Sequence, residues 1–284
     1  MNITKAVITA AGKGQGDLPL QTLVDGDGQT RSALEIVLHE AMDAGIRDVA
    51  LVVRPPDEES YRQAAGVCAD AIHFVYQKEA LGYGHALYQA REFTGNQPFL
   101  HLVSDHLYVS NSETGCARQL VDLAVANDCS VSAVQSTRET NLHLYGTVGG
   151  QKVPGQKGLY EVECVREKPT PTLAEQELMV PGLRAGHYLC FFGMHVLSPG
   201  VMEGLGRLLK NADSPRSVQL SDALNELPGH EKYLACEISG DRQNIGIPYG
   251  LFYAQLALAL RGVDRDTVLT ELVGKLAVRS GAQA

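Results

Sequence analysis

Short runs that are apolar at consecutive positions alternate with longer amphipathic stretches through the first hundred residues. Residues 6–9, 49–53, 72–76 and 99–103 form the apolar runs, as expected of strands covered on both faces. Between them, residues 32–44, 58–65 and 84–92 carry helical spacing. This alternation predicts βαβ units and an α/β fold: a doubly wound, mainly parallel sheet with helices on both faces. Ser32 is placed to cap the first helix, with Glu35 three positions on and Gly45 to end it.

Further along, residues 117–126 read as a helix and 130–135 as another strand. Five glycines, Gly146, Gly149, Gly150, Gly155 and Gly158, interleave with Val and Tyr over residues 145–160 and predict a small β-hairpin excursion. Residues 170–181 read as a loop with one helical turn. No internal repeat interrupts the pattern, and one domain over residues 1–284 is expected at this length. Apolar positions over 268–278 predict a tail helix that packs on the domain or on a second copy, so a homo-oligomer stays open.

Composition narrows the partners. A 44% hydrophobic and 20% charged chain is an ordinary globule, and a formal charge of -9 argues against nucleic acid as partner. The apolar stretch 251–260 is broken by Gln255 and is far too short for a bilayer, so no membrane association is expected. Six cysteines without a C-x-x-C pair, and an N-terminus without a leader pattern, point to a reduced, cytoplasmic protein.

Candidate chemistry begins at the first strand, which runs straight into a loop holding Gly12, Gly14 and Gly16. Backbone N–H groups in such a loop can approach a phosphate or a base closely. The loop matches neither G-x-x-x-x-G-K-[ST] nor G-x-G-x-x-G, and a turn after a first strand calls for glycine in any case. Asp105 follows the run 99–103, at a strand's carboxyl end where open α/β sheets bind ligands. By itself it reads as a turn residue or as a hard ligand for Mg²⁺. His106 beside it reads as structural, because imidazole suits Mg²⁺ poorly.

The order of short motifs carries more. Ala11-Gly12-Lys13-Gly14, Leu18-Pro19, Val75-Tyr76-Gln77, Leu81-Gly82-Tyr83-Gly84-His85-Ala86, Ser104-Asp105, Tyr145-Gly146, Glu167-Lys168-Pro169, Val196-Leu197-Ser198 and Gln219-Leu220-Ser221-Asp222 stand in sequence. The set resembles the bacterial UTP:glucose-1-phosphate uridylyltransferases, from Lys5 to Tyr253. The resemblance implies a Rossmann-like nucleotidyltransferase fold, with residues 145–190 holding the β excursion on the sugar side. It implies a nucleotide and a sugar phosphate as substrates and Mg²⁺ as cofactor. Ala11, Gly12, Lys13, Gln77, Gly82 and His85 would bind the nucleotide, and an amide such as Gln77 can read a uracil edge. Tyr145, Gly146, Glu167 and Lys168 would bind the sugar phosphate, and Lys168 and Asp105 would be catalytic. Asp105 and Asn244 would hold the metal.

Some positions depart from the family pattern. Gly16 stands where the family carries a loop Arg, Asp17 brings a charge of the wrong sign for a triphosphate, and residues 21–29 hold no lysine. Lys13 and Arg31 are the nearby cations left to replace what is missing. Asn244 takes the place of a second metal-binding Asp, with Asp241 as the closest compensating carboxylate. Ser217 stands where the family has Glu. Two readings follow: an active nucleotidyltransferase, which leads, and a relative that binds nucleotide sugar in a regulatory role with little turnover. A methyltransferase-like use of the loop is disfavoured, because no suitably placed acid follows the second strand.

Overall fold

The computed structural model describes residues 1–12, 16–214 and 218–280, the last three by backbone alone. Lys13 and Ser217 therefore lie outside the described residues. The chain opens with β1 (Lys5–Thr9) and a two-stranded ribbon, β2 (Thr22–Val24) and β3 (Thr30–Ser32), before α1 (Ala33–Asp43). The Ser32 hydroxyl accepts the Glu35 N–H at 2.9 Å, so the expected cap is present. Then come β4 (Asp48–Val53), α2 (Glu58–Ala64) and β5 (Ile72–Tyr76), followed by α3 (Tyr83–Tyr88) and α4 (Arg91–Thr94) where one helix was expected.

Strand β6 (Phe99–Val103) turns at Ser104-Asp105 into β7 (His106–Ser110), and α5 (Cys116–Asn127) leads to β8 (Ser130–Arg138). The expected hairpin is β9 (Thr147–Lys152) and β10 (Leu159–Arg166). After it, α6 (Pro171–Glu177) is capped by Thr170, whose hydroxyl accepts the Leu173 N–H at 3.3 Å. Next are β11 (His187–Leu197), α7 (Pro199–Asn211), α8 (Leu220–Glu226), β12 (Tyr233–Glu237) and β13 (Gly240–Asn244). Helices α9 (Gly250–Arg261) and α10 (Arg265–Ser280) end the described chain.

Among the described residues, nine strands form one sheet in the order β5-β4-β1-β6-β11-β8-β12-β10-β9. The expected parallel pairing holds through β5, β4, β1 and β6, and again between β8 and β12. Strand β11 lies antiparallel between β6 and β8 and joins the two halves into a mixed sheet. Alternation along β1 and β4 explains the helices on both faces. Ala6, Ile8, Val49 and Leu51 point to the core under α1 and α5, while Val7, Ala50 and Val52 point to the core under α3, α7 and α8. All six cysteines are free thiols. No helix among the described residues is long and apolar enough to cross a membrane. On α10, Leu269, Val273 and Leu276 are exposed.

A buried polar chain crosses the middle of the sheet. His101 on β6 lies 2.9 Å from the Val7 carbonyl through Nδ1 and 2.6 Å from the Tyr83 hydroxyl through Nε2. Nδ1 must donate to the carbonyl, so Nε2 accepts from Tyr83. His195 on β11 stacks on His101 with centroids 5.9 Å apart, and its Nδ1 lies 2.6 Å from the Ser132 hydroxyl. Burial pushes His101 down from an ordinary 6.5 to about 4, and His195 is also pushed well down by burial. Both rings are neutral near pH 7.

A histidine depressed in this way costs the fold nothing above pH 6.5, then destabilises it progressively as pH falls towards about 4, because only the unfolded chain takes up the proton. For His101 the loss amounts to about 3 kcal/mol across that window. Glu40, whose carboxyl is raised to about 7 by burial, has the opposite trend. Urea unfolding of wild type and His101→Gln at pH 7 and pH 4.5 cancels Glu40 in the difference. His101→Gln should be the less stable protein at pH 7, with the gap closing at pH 4.5. A constant gap would refute the assignment.

Candidate active site

A cavity of about 610 Å³ opens along the carboxyl ends of β1, β5 and β6 and extends to the β9–β10 edge. Of the described residues expected to bind nucleotide, sugar phosphate or metal, all but His85 line it, whereas Arg31 and Asp241, expected as substitutes, do not. Ala11, Gly12, Gln77 and Gly82 form one end, Asp105 and Asn244 the middle, and Tyr145, Gly146, Glu167 and Lys168 the other end.

At the first end, Gln77 is buried and its backbone N–H continues the ladder to the Val53 carbonyl at 2.9 Å. Its side-chain Nε2 donates to the Gly82 carbonyl at 3.0 Å and to His85 Nδ1 at 3.0 Å. Both amide protons are thereby used, which leaves Oε1 as the acceptor for a ligand. His85, expected to bind the nucleotide, does not line the cavity, and its ring stands against the Gln77 amide. With Nδ1 accepting from Gln77, the neutral ring carries its proton on Nε2, which stands 3.0 Å from the side-chain amide of Gln89 and calls for the oxygen end of that amide, and burial lowers the pKa of the ring. Gly82 has φ 98, a left-handed conformation open to glycine, and this bend presents its carbonyl to Gln77.

In the middle, Asp105 Oδ1 accepts from His106 Nδ1 at 2.9 Å. Burial alone would raise the Asp105 carboxyl; the charge and hydrogen bond of His106, with Lys168 further off, hold it below the ordinary carboxylate range. Asp105 is thus ionised and oriented. His106, expected to be structural, does this orienting, and its Nε2 is buried without a hydrogen-bond partner among the described residues. Behind it, Gly193 has φ 87, and a Cβ there would lie 2.9 Å from Val103 Cγ2, so the bend of β11 beneath the site depends on glycine.

No cluster of three His, Cys, Asp or Glu side chains among the described residues can hold a metal. One ionised, cavity-facing carboxylate is nonetheless a fitting donor for a hard divalent cation that takes its remaining ligands from phosphates and water. Asn244 also faces the cavity, but its Oδ1 already accepts the Gly246 N–H at 2.8 Å. Asp241 does not compensate for it. In β13, Asn244 pairs with His106 whereas Asp241, three residues earlier, pairs with Val109 and so faces away, next to the Asn111 amide at 3.3 Å.

At the far end, Glu167 Oε2 accepts from the Ser221 hydroxyl at 2.7 Å, and Lys168 Nζ stands 3.9 Å from Glu167 Oε1. Lys168 has φ 45, an uncommon conformation for a residue with a side chain, and its N–H donates to the Tyr145 carbonyl at 3.2 Å. A Cβ on Gly146 would lie 2.6 Å from the Phe191 ring, so the ring closes on the cavity where only glycine fits. Arg242 stacks on Tyr145, 3.6 Å from the ring centroid, and donates to the Phe191 carbonyl. Sequence reasoning did not single out Arg242; its two-residue offset from Asn244 on a strand is the signal that places both on one face.

Arg31, expected as a replacement cation, is corrected. Its Nη1 lies 2.9 Å from Asp25 and 2.6 Å from Asp27, its Nη2 reaches Asp27 at 2.7 Å, and it does not line the cavity. The same acidic ribbon that lacks a lysine consumes the arginine.

A family model described as nucleotidyl transferase matches residues 5–241. The UTP--glucose-1-phosphate uridylyltransferase YngB of Bacillus subtilis (strain 168) is 29% identical, covering 91% of this chain and 90% of that protein. The UTP--glucose-1-phosphate uridylyltransferase 2 of Staphylococcus saprophyticus is 27% identical over 96% of this chain and 98% of its own. Among solved structures, a UDP-glucose pyrophosphorylase complexed with UDP-glucose has the same fold at a TM-score of 0.72 and 24% identity, covering 90% of this chain and 98% of the other. A UTP-bound enzyme of the same kind from Acinetobacter baumannii has a TM-score of 0.72 at 21% identity, covering 97% and 100%.

Proposed function

The chain belongs to the nucleotidyl transferase family, whose pattern runs through residues 5–241, and from that premise we propose that it transfers uridylyl from UTP to glucose 1-phosphate, giving UDP-glucose and pyrophosphate. The two curated relatives named above carry that activity in their names, and the alignment spans nearly the whole of each. The observation that supports the reading best is that one cavity holds the Gln77 amide at one end, a lysine beside a carboxylate at the other, and an ionised carboxylate between them.

In this reading Gln77 Oε1 accepts a uracil N–H, and backbone groups of Ala11 and Gly12 meet the nucleotide. Glu167, fixed by Ser221, accepts sugar hydroxyls. Lys168 holds the sugar phosphate so that one of its oxygens attacks the α-phosphorus of UTP. The bond to the bridging oxygen of the β-phosphate breaks, and pyrophosphate leaves with that electron pair. No proton moves at the reacting atoms, so positioning and charge neutralisation carry the catalysis. Asp105, with the Asn244 amide close by, would hold a bound Mg²⁺, which would supply neutralisation of phosphate charge.

The regulatory reading keeps one observation in its favour, the locked state of Arg31. Pyrophosphate release from UTP, glucose 1-phosphate and Mg²⁺ decides between them. Turnover above an Asp105→Ala control supports the enzyme. Binding of UDP-glucose without turnover supports the regulatory protein.

A further inference from the structure

In-line displacement puts the leaving pyrophosphate opposite the attacking oxygen. If Lys168 holds the attacking phosphate, the triphosphate tail points away from β9 and β10, towards the ends of β1 and β4. A cation is needed there, because the chain carries a net charge of -9 and Lys168 is the only Lys or Arg among the described residues that line the cavity. Arg31 is already paired with Asp25 and Asp27.

Arg54 does not line the cavity itself, but it stands at that end of the sheet. It directly follows β4, which lies between β1 and β5. The Val52 carbonyl accepts the Ala10 N–H at 2.8 Å and the Val53 carbonyl accepts the Gln77 N–H at 2.9 Å, so Arg54 leaves the sheet between the glycine loop and the base-reading amide. Asp57 Oδ2 accepts from its Nε at 2.7 Å, and neither Nη1 nor Nη2 has a hydrogen-bond partner among the described residues. A Cβ on Gly16 would lie 3.0 Å from Arg54 Nη2. The absence of a side chain at position 16 is what lets the guanidinium lie against the loop. From below, the Tyr61 hydroxyl reaches the Gly16 carbonyl at 3.0 Å and the Ala10 carbonyl at 3.3 Å, so the segment that carries Arg54 also anchors both ends of the loop.

We propose that Arg54, seated against Gly16, is the residue that binds the pyrophosphate portion of UTP. The inference rests on the uridylyltransferase reading and adds the group that neutralises the leaving phosphates. A planar guanidinium fixed through Nε suits this task, since it offers two parallel donors to phosphate oxygens.

The test is calorimetric binding of UTP, UMP and UDP-glucose to wild type, Arg54→Met and Gly16→Leu, with KM for UTP and for pyrophosphate measured alongside. Losing a charge-assisted phosphate contact weakens binding about tenfold to hundredfold. That loss is expected for UTP and pyrophosphate in both variants, with UMP and UDP-glucose unchanged. Gly16→Leu retains Arg54 for folding and only displaces its guanidinium, so it covers the case in which Arg54→Met unfolds. Equal UTP affinity in Gly16→Leu and wild type, or parallel loss of UTP and UMP in a folded Arg54→Met, overturns the proposal. Failure of wild type to bind any of the three ligands overturns the uridylyltransferase reading instead.

Discussion

Asp105→Asn should lower the rate of UDP-glucose formation by about 10³-fold, the usual order for losing one preorganised charge stabiliser. The substitution is nearly isosteric, and an asparagine Oδ1 still accepts from His106 Nδ1, so the turn between β6 and β7 survives. What disappears is the one ionised carboxylate in the middle of the cavity. His106 and Lys168 hold Asp105 below the ordinary carboxylate range despite its burial. Its contribution to folding is therefore present above that range and lost only as pH falls through it. Near neutral pH the carboxylate is fully charged, and the wild-type rate should not titrate through it. UMP should bind Asp105→Asn as it binds wild type, because Gln77 and the glycine loop are untouched. A variant with wild-type, divalent-metal-dependent turnover would remove Asp105 from the mechanism.

The parts of the fold that the sequence makes legible are those governed by local rules. The apolar runs β1, β4, β5 and β6, the Ser32 cap and the glycine-spaced hairpin all follow from period, capping and turn chemistry. Strand β11 shows the limit. Its eleven residues are mostly apolar, which marks burial, yet an apolar run carries no direction, and only the pairing register reveals that it lies antiparallel between β6 and β8. The site divides in the same way. Asp105 and Gln77 stand at strand ends, where ligands are expected. His85 has the right position in the motif, but its nitrogens meet Gln77 and Gln89 instead of the cavity.

Charge is the least legible property. Arg31 and Arg54 look alike in sequence, and what separates them is whether the neighbouring aspartates take both terminal nitrogens of the guanidinium or only its Nε. The Asp241 and Asn244 distinction, in contrast, was within reach. Once residues 240–244 form a strand, positions three apart face opposite sides, and only Asn244 shares the cavity with Asp105.

On the proposed function Lys168 combines a role in chemistry with a cost in stability, and Lys168→Gly should separate them. The residue sits at φ 45 ahead of Pro169, a conformation held by its N–H bond to Tyr145 and by the close packing of Gly146 on Phe191. A left-handed residue with a side chain is strained by roughly 1 kcal/mol, and strain of this kind persists where function requires the side chain. Glycine relieves it. In Lys168→Gly, Tm should rise by roughly 2 °C, and kcat/KM for glucose 1-phosphate should fall by about 10²-fold or more, since the charge that orients the attacking phosphate is gone. Lys168→Met keeps the strain while losing the charge, so it should lose activity equally without the gain in Tm. Lys168→Arg should recover part of the activity. The UTP dependence is the internal control, because the proposed function puts the nucleotide across the cavity from Lys168 and its KM should hardly move. Loss of UTP affinity in Lys168→Met would put the lysine on the triphosphate, and an unchanged kcat/KM for glucose 1-phosphate would make it a surface residue that only happens to face the cavity.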